Sequence, residues 1–354
     1  TKVRIKKLKE LLLENNIEAI IVDSPTNVYY LSGFTGTNAT LFITQNTNYL
    51  LTDFRYIEQA EKQTKGFQVI RIDDEPYKKI NELSEEVNSI GIEEEHITWL
   101  KYKKIRESFR EKNLVETSKI FKNMRKIKDD SEIAAIREAI KITDQAFNSI
   151  IEKIKQNTSE EDIAIELEFF LRKAGASGKS FDFIIGSGWR SALPHGVATG
   201  KKIAENELIV LDFGAIYKRY CSDLTRTVFI GKPSAKHLEI YNIVLEAQLA
   251  AINYMKPGMS GKEVDAIARD IIKKNGYGDY FGHGLGHSLG LEIHEEPRLS
   301  PKEEKVIEPG MIITVEPGIY IPNWGGVRIE DVVLVTKNGV EVLTQAPKQF
   351  IIID

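Results

Sequence analysis

The sequence predicts a mixed α/β protein (α+β in its second part) with two domains, the second of which contains an internal repeat. Helical and strand-like segments alternate through the first third of the 354 residues, and from residue 129 onward the order helix, helix, strand occurs twice. A hydrophobic content of 42% is enough for two separate cores. We place the boundary in the basic stretch FKNMRKIKDD, which gives an N-terminal α/β domain over residues 1–124 and a C-terminal domain over residues 125–354.

The N-terminal domain shows alternating helices and strands without any concentration of chemically active residues. Leucines at positions 8, 11 and 12 follow helical spacing, which predicts a helix over residues 3–15. The segment IEAIIVDS predicts a buried strand, ATLFIT and NYLLTD a hairpin, FRYIEQAEKQ a helix and FQVIRI another strand.

The internal repeat begins with a long helix in each half, predicted over residues 130–155 and 234–255. A capping box then opens a shorter helix, from Thr158 to Glu161 in the first half and from Ser260 to Glu263 in the second. Each shorter helix ends at a glycine, and a histidine-bearing loop and a strand follow, LIVLDFGAIY or MIITVEPGIY. Corresponding residues are 101 to 104 positions apart, which favours two halves related by a pseudo-twofold axis over a chance recurrence of a common order.

Four carboxylates lie in otherwise apolar, strand-like sequence. Asp212 and Asp223 belong to LIVLDFGAIYKRYCSDLTRT, and Glu316 and Glu330 to ITVEPGIYIPNWGGVRIEDVV. A carboxylate that faces a core costs free energy unless a cation or hydrogen bonds compensate it. The repeat would bring one such hairpin from each half to a shared axis, so these residues predict a site for two metal ions.

Strand alternation predicts which neighbours share the site. Asp223 lies on the same face as Thr225, and Glu330 on the same face as Arg328, whereas Asp331 points the opposite way. Arg328 could therefore reach the site and hold a carboxylate or a reaction intermediate. A surface ion pair is the alternative role for this arginine.

The tract GHGLGHSLGLEIHEEP holds His283, His287 and His294, three of the six histidines of the chain. His283 and His287 are four residues apart, but the surrounding glycines disfavour a helix, so we predict a tight loop that leads into a strand, LGLEIHE. Three histidines so close together ahead of the Glu316 strand indicate function. His96 and His237 lack such a context and are expected to be structural. The single cysteine, Cys221, is expected to be a buried filler and not a catalytic thiol.

An oxygen-rich ligand set with one imidazole favours hard or borderline divalent ions, manganese first, with cobalt, zinc or iron as alternatives. Four carboxylates balance the charge of two such ions and leave room for a bridging hydroxide. A hydroxide of this kind could attack an amide bond.

The order Asp212, Asp223, His287, Glu316, Glu330 resembles the five-ligand signature of the pita-bread metallopeptidases. Within that family, GHGLGHSLGLEIHEEP and EPGIYIPNWGGVRIED are most similar to Xaa-Pro dipeptidases (prolidases) and Xaa-Pro aminopeptidases. The segments SPTNVYYLSGF and LLTDFRYIEQA are similar to the N-terminal domain of those enzymes. The resemblance covers essentially the whole chain, and it implies a C-terminal domain with the pita-bread fold.

The resemblance also implies roles for individual residues. Asp212 would bind one metal ion, His287 and Glu316 the other, and Asp223 and Glu330 both. Glu316 would also shuttle protons during catalysis. Four further residues would act around the substrate: His195 and His294 in binding it and stabilising the intermediate, His283 on the leaving-group side of the pocket, and Arg328 beside the last ligand.

The resulting expectation is a dinuclear metal peptidase that cleaves the bond before proline in dipeptides or short peptides. An Xaa-Pro aminopeptidase for longer peptides has the same ligands and stays open, and a peptide-binding module without catalysis is a further alternative. The intact ligand set argues against a creatinase-type hydrolase, and the N-terminal domain against a methionine aminopeptidase. A net charge of −4 and the lack of long apolar runs argue against nucleic-acid or membrane partners. One cysteine and no signal-peptide pattern fit a cytoplasmic location, and the resemblance implies a homodimer.

Overall fold

Two units make up the chain in the computed structural model, which describes residues 1–353. The first unit is Thr1–Arg125, and the second begins at Lys126. The mixed α/β class predicted from the sequence is confirmed. Among the described residues, no helix combines the length and the apolar composition that crossing a membrane requires.

A six-stranded mixed sheet forms the first unit, in the order β4-β3-β2-β1-β5-β6. The predicted hairpin is present, because β2 and β3 pair antiparallel with Phe42 opposite Tyr49. Buried side chains such as Ile21, Leu51 and Phe109 form the core against this sheet. The strands and helices are β1 Ala19–Val22, β2 Thr40–Thr44, β3 Asn48–Thr52, β4 Gln68–Arg71, β5 Ser89–Ile92, β6 Asn113–Glu116, and α1 Lys2–Glu14, α2 Pro25–Ser32, α3 Ile57–Gln63, α4 Pro76–Leu83, α5 Trp99–Ser108, α6 Ser118–Arg125.

The second unit contains four long helices and the remaining strands. Its helices are α7 Asp130–Ile151, α8 Glu160–Lys173, α9 Ala235–Tyr254 and α10 Gly261–Lys274. Its strands are β7 Gly178–Lys179, β8 Ile184–Ser187, β9 Glu207–Phe213, β10 Ala215–Tyr217, β11 Tyr220–Cys221, β12 Leu224–Ile230, β13 Gly286–Ser288, β14 Glu295–Leu299, β15 Ile312–Val315, β16 Gly318–Ile321, β17 Gly325–Arg328, β18 Asp331–Val335, β19 Val340–Val342 and β20 Ile352–Ile353.

Each half of the second unit packs its two helices on its own sheet. Helices α7 and α8 share one apolar core with the sheet β20-β12-β9-β8. Helices α9 and α10 share a second core with the sheet β14-β13-β15-β18-β19. The two halves therefore repeat the same arrangement of helices and sheet, as the sequence spacing predicted.

The helix starts follow capping chemistry, with one error in the prediction. The box predicted at Thr158 and Glu161 lies one residue later, where Ser159 caps α8 and exchanges hydrogen bonds with Asp162. Thr158 stays outside the helix because its carbonyl oxygen accepts from the backbone N–H of Ile203 at 2.9 Å, and Ser159, which pairs with Lys202 in an isolated bridge, becomes the cap. The box at Ser260 and Glu263 is present as predicted.

The strands that carry the carboxylates are shorter than predicted, and their interruptions lie next to the carboxylates. LIVLDFGAIY is broken at Gly214, where a Cβ atom would lie 1.9 Å from the carbonyl oxygen of Ser222. MIITVEPGIY is broken after β15, where Pro317 has no N–H to offer a ladder. The segment VRIEDVV is likewise two strands in different sheets, β17 and β18.

The histidine tract also differs from its prediction. His287 lies inside the short strand β13, whereas most of LGLEIHE is an irregular connection that leads to β14. Gly286 permits a close approach to Thr314, because a Cβ atom at residue 286 would lie 2.0 Å from the carbonyl oxygen of Thr314. This approach allows residue 287 to be extended.

Candidate metal centre

Equivalent strand ends in the two halves hold the four carboxylates. In the first half Asp212 is the next-to-last residue of β9, opposite Thr225, and Asp223 immediately precedes β12. In the second half Glu316 immediately follows β15, and Glu330 immediately precedes β18. Strand ends let a side chain leave the ladder and turn inward, so each half contributes two carboxylates to one point.

Three of these carboxylates form a tight buried cluster. Ligand atoms of Asp212, Asp223 and Glu330 all lie within 4.8 Å of one another. Nε2 of His287 lies 3.4 Å from Oε1 of Glu316 and 3.6 Å from Oδ2 of Asp223. The structure thus brings together all five side chains that the sequence singled out as metal ligands.

The surroundings of His287 orient its ring toward the carboxylates. Its Nδ1 lies 3.1 Å from the carbonyl oxygen of Ser288, and because a carbonyl can only accept, Nδ1 carries the proton. Nε2 is then the lone-pair nitrogen that faces Asp223 and Glu316. A backbone partner of this kind is the usual way in which proteins orient a metal-binding imidazole.

Threonine hydroxyls orient two of the carboxylates. Thr225 donates to Oε2 of Glu330 at 2.7 Å, and Thr314 donates to Oε1 of Glu316 at 3.1 Å. These bonds use one oxygen of each carboxylate and leave the other available.

Unpartnered oxygens show that the residues fit a metal centre. Oδ1 of Asp212, Oδ1 of Asp223 and Oε1 of Glu330 are buried and form no hydrogen bond within residues 1–353. Leaving a buried acceptor without a partner costs about 1–3 kcal/mol, and more for charged groups, so three in one cluster call for a cation. A set of four carboxylates and one imidazole matches divalent ions of the manganese-to-zinc series.

The pKa values of the cluster point to the same need. Burial and the neighbouring charges of Glu330 and Asp212 raise the pKa of Asp223 well above its ordinary value. The pKa of Glu330 is raised in the same way, by burial and then by Glu316. Burial raises the pKa of Glu316 to about 7, and burial beside His294 lowers the pKa of His287 to about 3. Positive ions among these carboxylates would favour their charged forms.

Arg328 connects the carboxylates to a histidine through a tyrosine that sequence analysis missed. The guanidinium forms an ion pair with Oδ2 of Asp212 and donates at 2.8 Å to the hydroxyl of Tyr320, which lies 2.8 Å from Nε2 of His283. Since Nδ1 of His283 lies 2.7 Å from the carbonyl oxygen of Gly284 and must carry the proton, the tyrosine hydroxyl donates to Nε2. Tyr320 lies in β16, three residues after Pro317 and on the same face of the strand as Gly318.

A cavity of about 460 Å³ opens beside the cluster. Its wall includes His195, His283 and His294, together with apolar side chains such as Ile293 and Leu299. Arg298 also lines this cavity, and sequence analysis missed it because nothing in its local sequence separates it from a surface arginine. The exposed Arg298 forms no ion pair within the described residues.

Three further sequence predictions concern Asp331, Cys221 and His237. Asp331 points away from the centre, as predicted, although the continuous strand assumed for that argument is absent, and it pairs with Arg226. Cys221 is buried, and burial beside Glu295 and Asp223 raises the pKa of its thiol to about 12, which keeps it protonated. His237 is structural, since its ring accepts from the backbone N–H of Ser234 and stacks on Trp324.

Comparison with known proteins assigns both parts of the chain. Residues 134–337 match Metallopeptidase family M24, and residues 4–127 match the Creatinase/Prolidase N-terminal domain. The chain is 43% identical over 364 aligned positions to the Xaa-Pro dipeptidase of Pyrococcus furiosus, and the match covers 99% of this chain and all of that protein.

Solved structures show the same likeness. The Xaa-Pro dipeptidase from Bacillus anthracis superposes with a TM-score of 0.97 at 45% identity, and the match covers 99% of each chain. An X-Pro aminopeptidase from Thermotoga maritima superposes with a TM-score of 0.90 at 39% identity, over 96% of this chain and 98% of that one.

Proposed function

Because the chain belongs to metallopeptidase family M24, we propose that it is an Xaa-Pro dipeptidase (prolidase), which hydrolyses the amide bond before proline in dipeptides or short peptides. The observation that carries this proposal is the convergence of five ligand-type side chains beside a histidine-lined cavity. In this proposal residues 1–124 are the N-terminal domain and residues 125–354 the catalytic domain.

Two divalent ions are the proposed cofactor. Asp212 would hold one ion, His287 and Glu316 the other, and Asp223 and Glu330 would contact both. Two such ions lower the pKa of a water molecule toward neutrality and polarise the carbonyl group of an amide. Manganese is the proposed native ion because the ligands are mostly hard oxygen atoms, with cobalt, zinc or iron as alternatives.

The side chains around the ions would move the protons and hold the substrate. The Glu316 carboxylate, held by Thr314 at 3.1 Å, would accept a proton from the attacking water and deliver it to the proline nitrogen as the C–N bond breaks. His195 and His294 would donate hydrogen bonds to the carbonyl oxygen as it gains charge, which is the role that preorganised donors have in amide hydrolysis. His283 would line the side of the leaving proline, and Arg328 would fix the first carboxylate.

Arg298 bears on whether the substrate is a dipeptide or a longer peptide. A dipeptide ends in a free carboxylate directly after proline, and a cation in the cavity would bind it. Arg298 lies in the cavity wall and is an exposed residue, which supports a dipeptide as substrate. Proline itself offers no N–H, so its recognition depends on ring shape and on the two ends of the peptide.

The alternative is an Xaa-Pro aminopeptidase that acts on longer peptides. The similarity to the Thermotoga maritima structure supports it, and the five proposed ligands do not distinguish the two activities. A peptide-binding module without catalysis would have no need of the complete ligand set. For assembly and location we propose a cytoplasmic homodimer, which the single cysteine and the family resemblance support.

Parallel kinetics test this function. The purified chain is stripped with a chelator, reconstituted with Mn²⁺, and assayed on Ala-Pro and on Ala-Pro-Ala. Metal-dependent release of proline from Ala-Pro with little cleavage of Ala-Pro-Ala is the expected result. Preferential cleavage of the tripeptide would establish the aminopeptidase, and no metal-dependent cleavage of either peptide would contradict both.

A further inference from the structure

We propose that Glu160 is a positioning residue that fixes the loop carrying His195, and with it one wall of the substrate cavity. Neither the ligand set nor the family likeness assigns this residue a role. The effect on catalysis rests on the proposed function, whereas the restraint on the loop is a property of the chain and can be tested without turnover.

The Glu160 carboxylate is fully buried and accepts five hydrogen bonds. Oε1 accepts from the backbone N–H and the hydroxyl of Ser187, at 2.8 and 2.9 Å. Oε2 accepts from Nε of Arg190 at 2.9 Å and from the backbone N–H and hydroxyl of Thr199, at 3.2 and 2.8 Å. A carboxylate with this number of donors is strongly held, because hydrogen bonds to a charged acceptor are the stronger class.

The donors lie on both sides of His195 in the chain. Ser187 ends β8 and Arg190 belongs to the short 3-10 turn Gly188–Ala192, whereas Thr199 follows the histidine by four residues. Arg190 adds a second link, since its Nη2 donates to the carbonyl oxygen of Val197 at 2.7 Å. Glu160 and Arg190 therefore close the loop at its base, and His195 lies at the exposed end.

Arg328 of the metal centre also contacts this loop. Nη1 of Arg328 lies 3.3 Å from the carbonyl oxygen of Pro194, immediately before His195. The His195 side chain is exposed and has no hydrogen bond of its own within residues 1–353. Its position is consequently set by the backbone, which Glu160 holds at the base and Arg328 at the end.

Glu160→Gln isolates the effect of the carboxylate at nearly constant size. An amide has one acceptor atom, so its NH₂ group would have to face either the Ser187 donors or those of Arg190 and Thr199. Glu161→Gln is the matched control, because Glu161 is the next residue, is exposed, and forms no side-chain hydrogen bond within residues 1–353. Thr199→Val, which deletes a single hydroxyl donor, is a milder variant in case the first one folds poorly.

Hydrogen–deuterium exchange of the metal-free protein tests the restraint directly. We expect Glu160→Gln to speed exchange at least about tenfold in peptides over residues 187–199, and Thr199→Val to do so by a smaller factor. Peptides from β9 and β12, and all peptides of Glu161→Gln, should exchange as in the wild type. Wild-type exchange in the loop of Glu160→Gln would overturn the proposal, as would an equal increase throughout the second unit.

A double-mutant cycle with His195 tests the catalytic consequence. On Ala-Pro, Glu160→Gln should lower kcat about tenfold with unchanged metal content, yet lower it less than about twofold when His195 is already alanine. Equal losses in both backgrounds would mean that Glu160 does not act through His195. If the wild type cleaved neither peptide, the proposed function would fail, and the exchange measurement would still decide the restraint on the loop.

Discussion

Arg328 forms a buried ion pair with Asp212, the first of the five proposed metal ligands. The other nitrogens of the same guanidinium have separate acceptors, with Nε donating to Thr225 at 3.1 Å and Nη1 to Tyr320 at 2.8 Å. Arg328 therefore fixes one carboxylate of the centre and, through Tyr320, the orientation of His283. Three side-chain partners in three directions require the planar fork of arginine.

Arg328→Lys should retain the charge and lose the geometry. A lysine ammonium cannot serve Asp212, Thr225 and Tyr320 together, so we expect kcat/KM on Ala-Pro to fall about a hundredfold, which corresponds to the loss of one or two charge-assisted bonds. The control is Arg137→Lys, because Arg137 forms a half-exposed pair with Glu341. Equal kcat/KM values for the two variants would show that the fork of Arg328 has no role.

Tyr320→Phe should weaken both the fold and the reaction. Without the hydroxyl, Nε2 of His283 loses its donor and Nη1 of Arg328 loses an acceptor. We expect the free energy of unfolding to decrease by about 1–3 kcal/mol and kcat to decrease about tenfold, with metal content unchanged. Urea unfolding and steady-state kinetics measure these effects. Tyr254→Phe alters an exposed hydroxyl and should change neither quantity, and a similarly small effect of Tyr320→Phe would contradict the proposed chain of hydrogen bonds.

Arg298→Ala should discriminate between substrates with and without a free carboxylate. If the guanidinium binds the C-terminal carboxylate of the dipeptide, KM for Ala-Pro should rise about ten- to a hundredfold, while cleavage of Ala-Pro amide should change little. The amide serves as the internal control because it lacks only the charge. A parallel loss on both substrates would assign Arg298 to the fold and not to substrate binding.

Asp331→Asn should destabilise the second unit without removing a ligand. Although burial alone would raise the pKa of Asp331, the charges of Arg226 and Lys348 hold it below its ordinary value. The carboxylate also accepts from Gln248 at 2.8 Å. Neutralising it leaves the fully buried Arg226 without its counter-charge, which should lower the free energy of unfolding by about 3 kcal/mol. Urea unfolding measures this loss, and the exposed Asp270→Asn should show none. A loss below about 0.5 kcal/mol for Asp331→Asn would contradict the account.

Much of the fold was predictable because its local signals are consistent with its packing. Capping chemistry and apolar periodicity predicted α9 and α10, and the constant offset between the halves predicted that each would contribute matching strand ends. Strand lengths were overestimated, because hydrophobic pattern does not register the breaks at Gly214 and Pro317. The break at Gly214 depends on the close approach of Ser222, which only the tertiary structure shows. The break at Pro317 depends on the missing N–H of proline, which the sequence itself shows.

The candidate site likewise contains some residues that the sequence reveals and others that only the structure reveals. Charged residues in apolar segments, such as Asp212 and Glu330, are visible in the sequence because their burial is costly without a partner. Tyr320 and Glu160 are not visible, since a tyrosine in a strand and a glutamate in a first helical turn are both common. Their importance depends on hydrogen bonds between residues far apart in the chain, which Tyr320 donates to His283 and Thr199 donates to Glu160.

Metal stoichiometry tests the central claim most directly. The wild-type chain, stripped and then reconstituted with Mn²⁺, should retain two ions after removal of free metal and hydrolyse Ala-Pro. Asp223→Ala, which removes a carboxylate proposed to contact both ions, should retain less than one ion and lose activity, whereas the exposed Asp270→Ala should match the wild type. Two retained ions and undiminished turnover in Asp223→Ala would contradict the proposed centre.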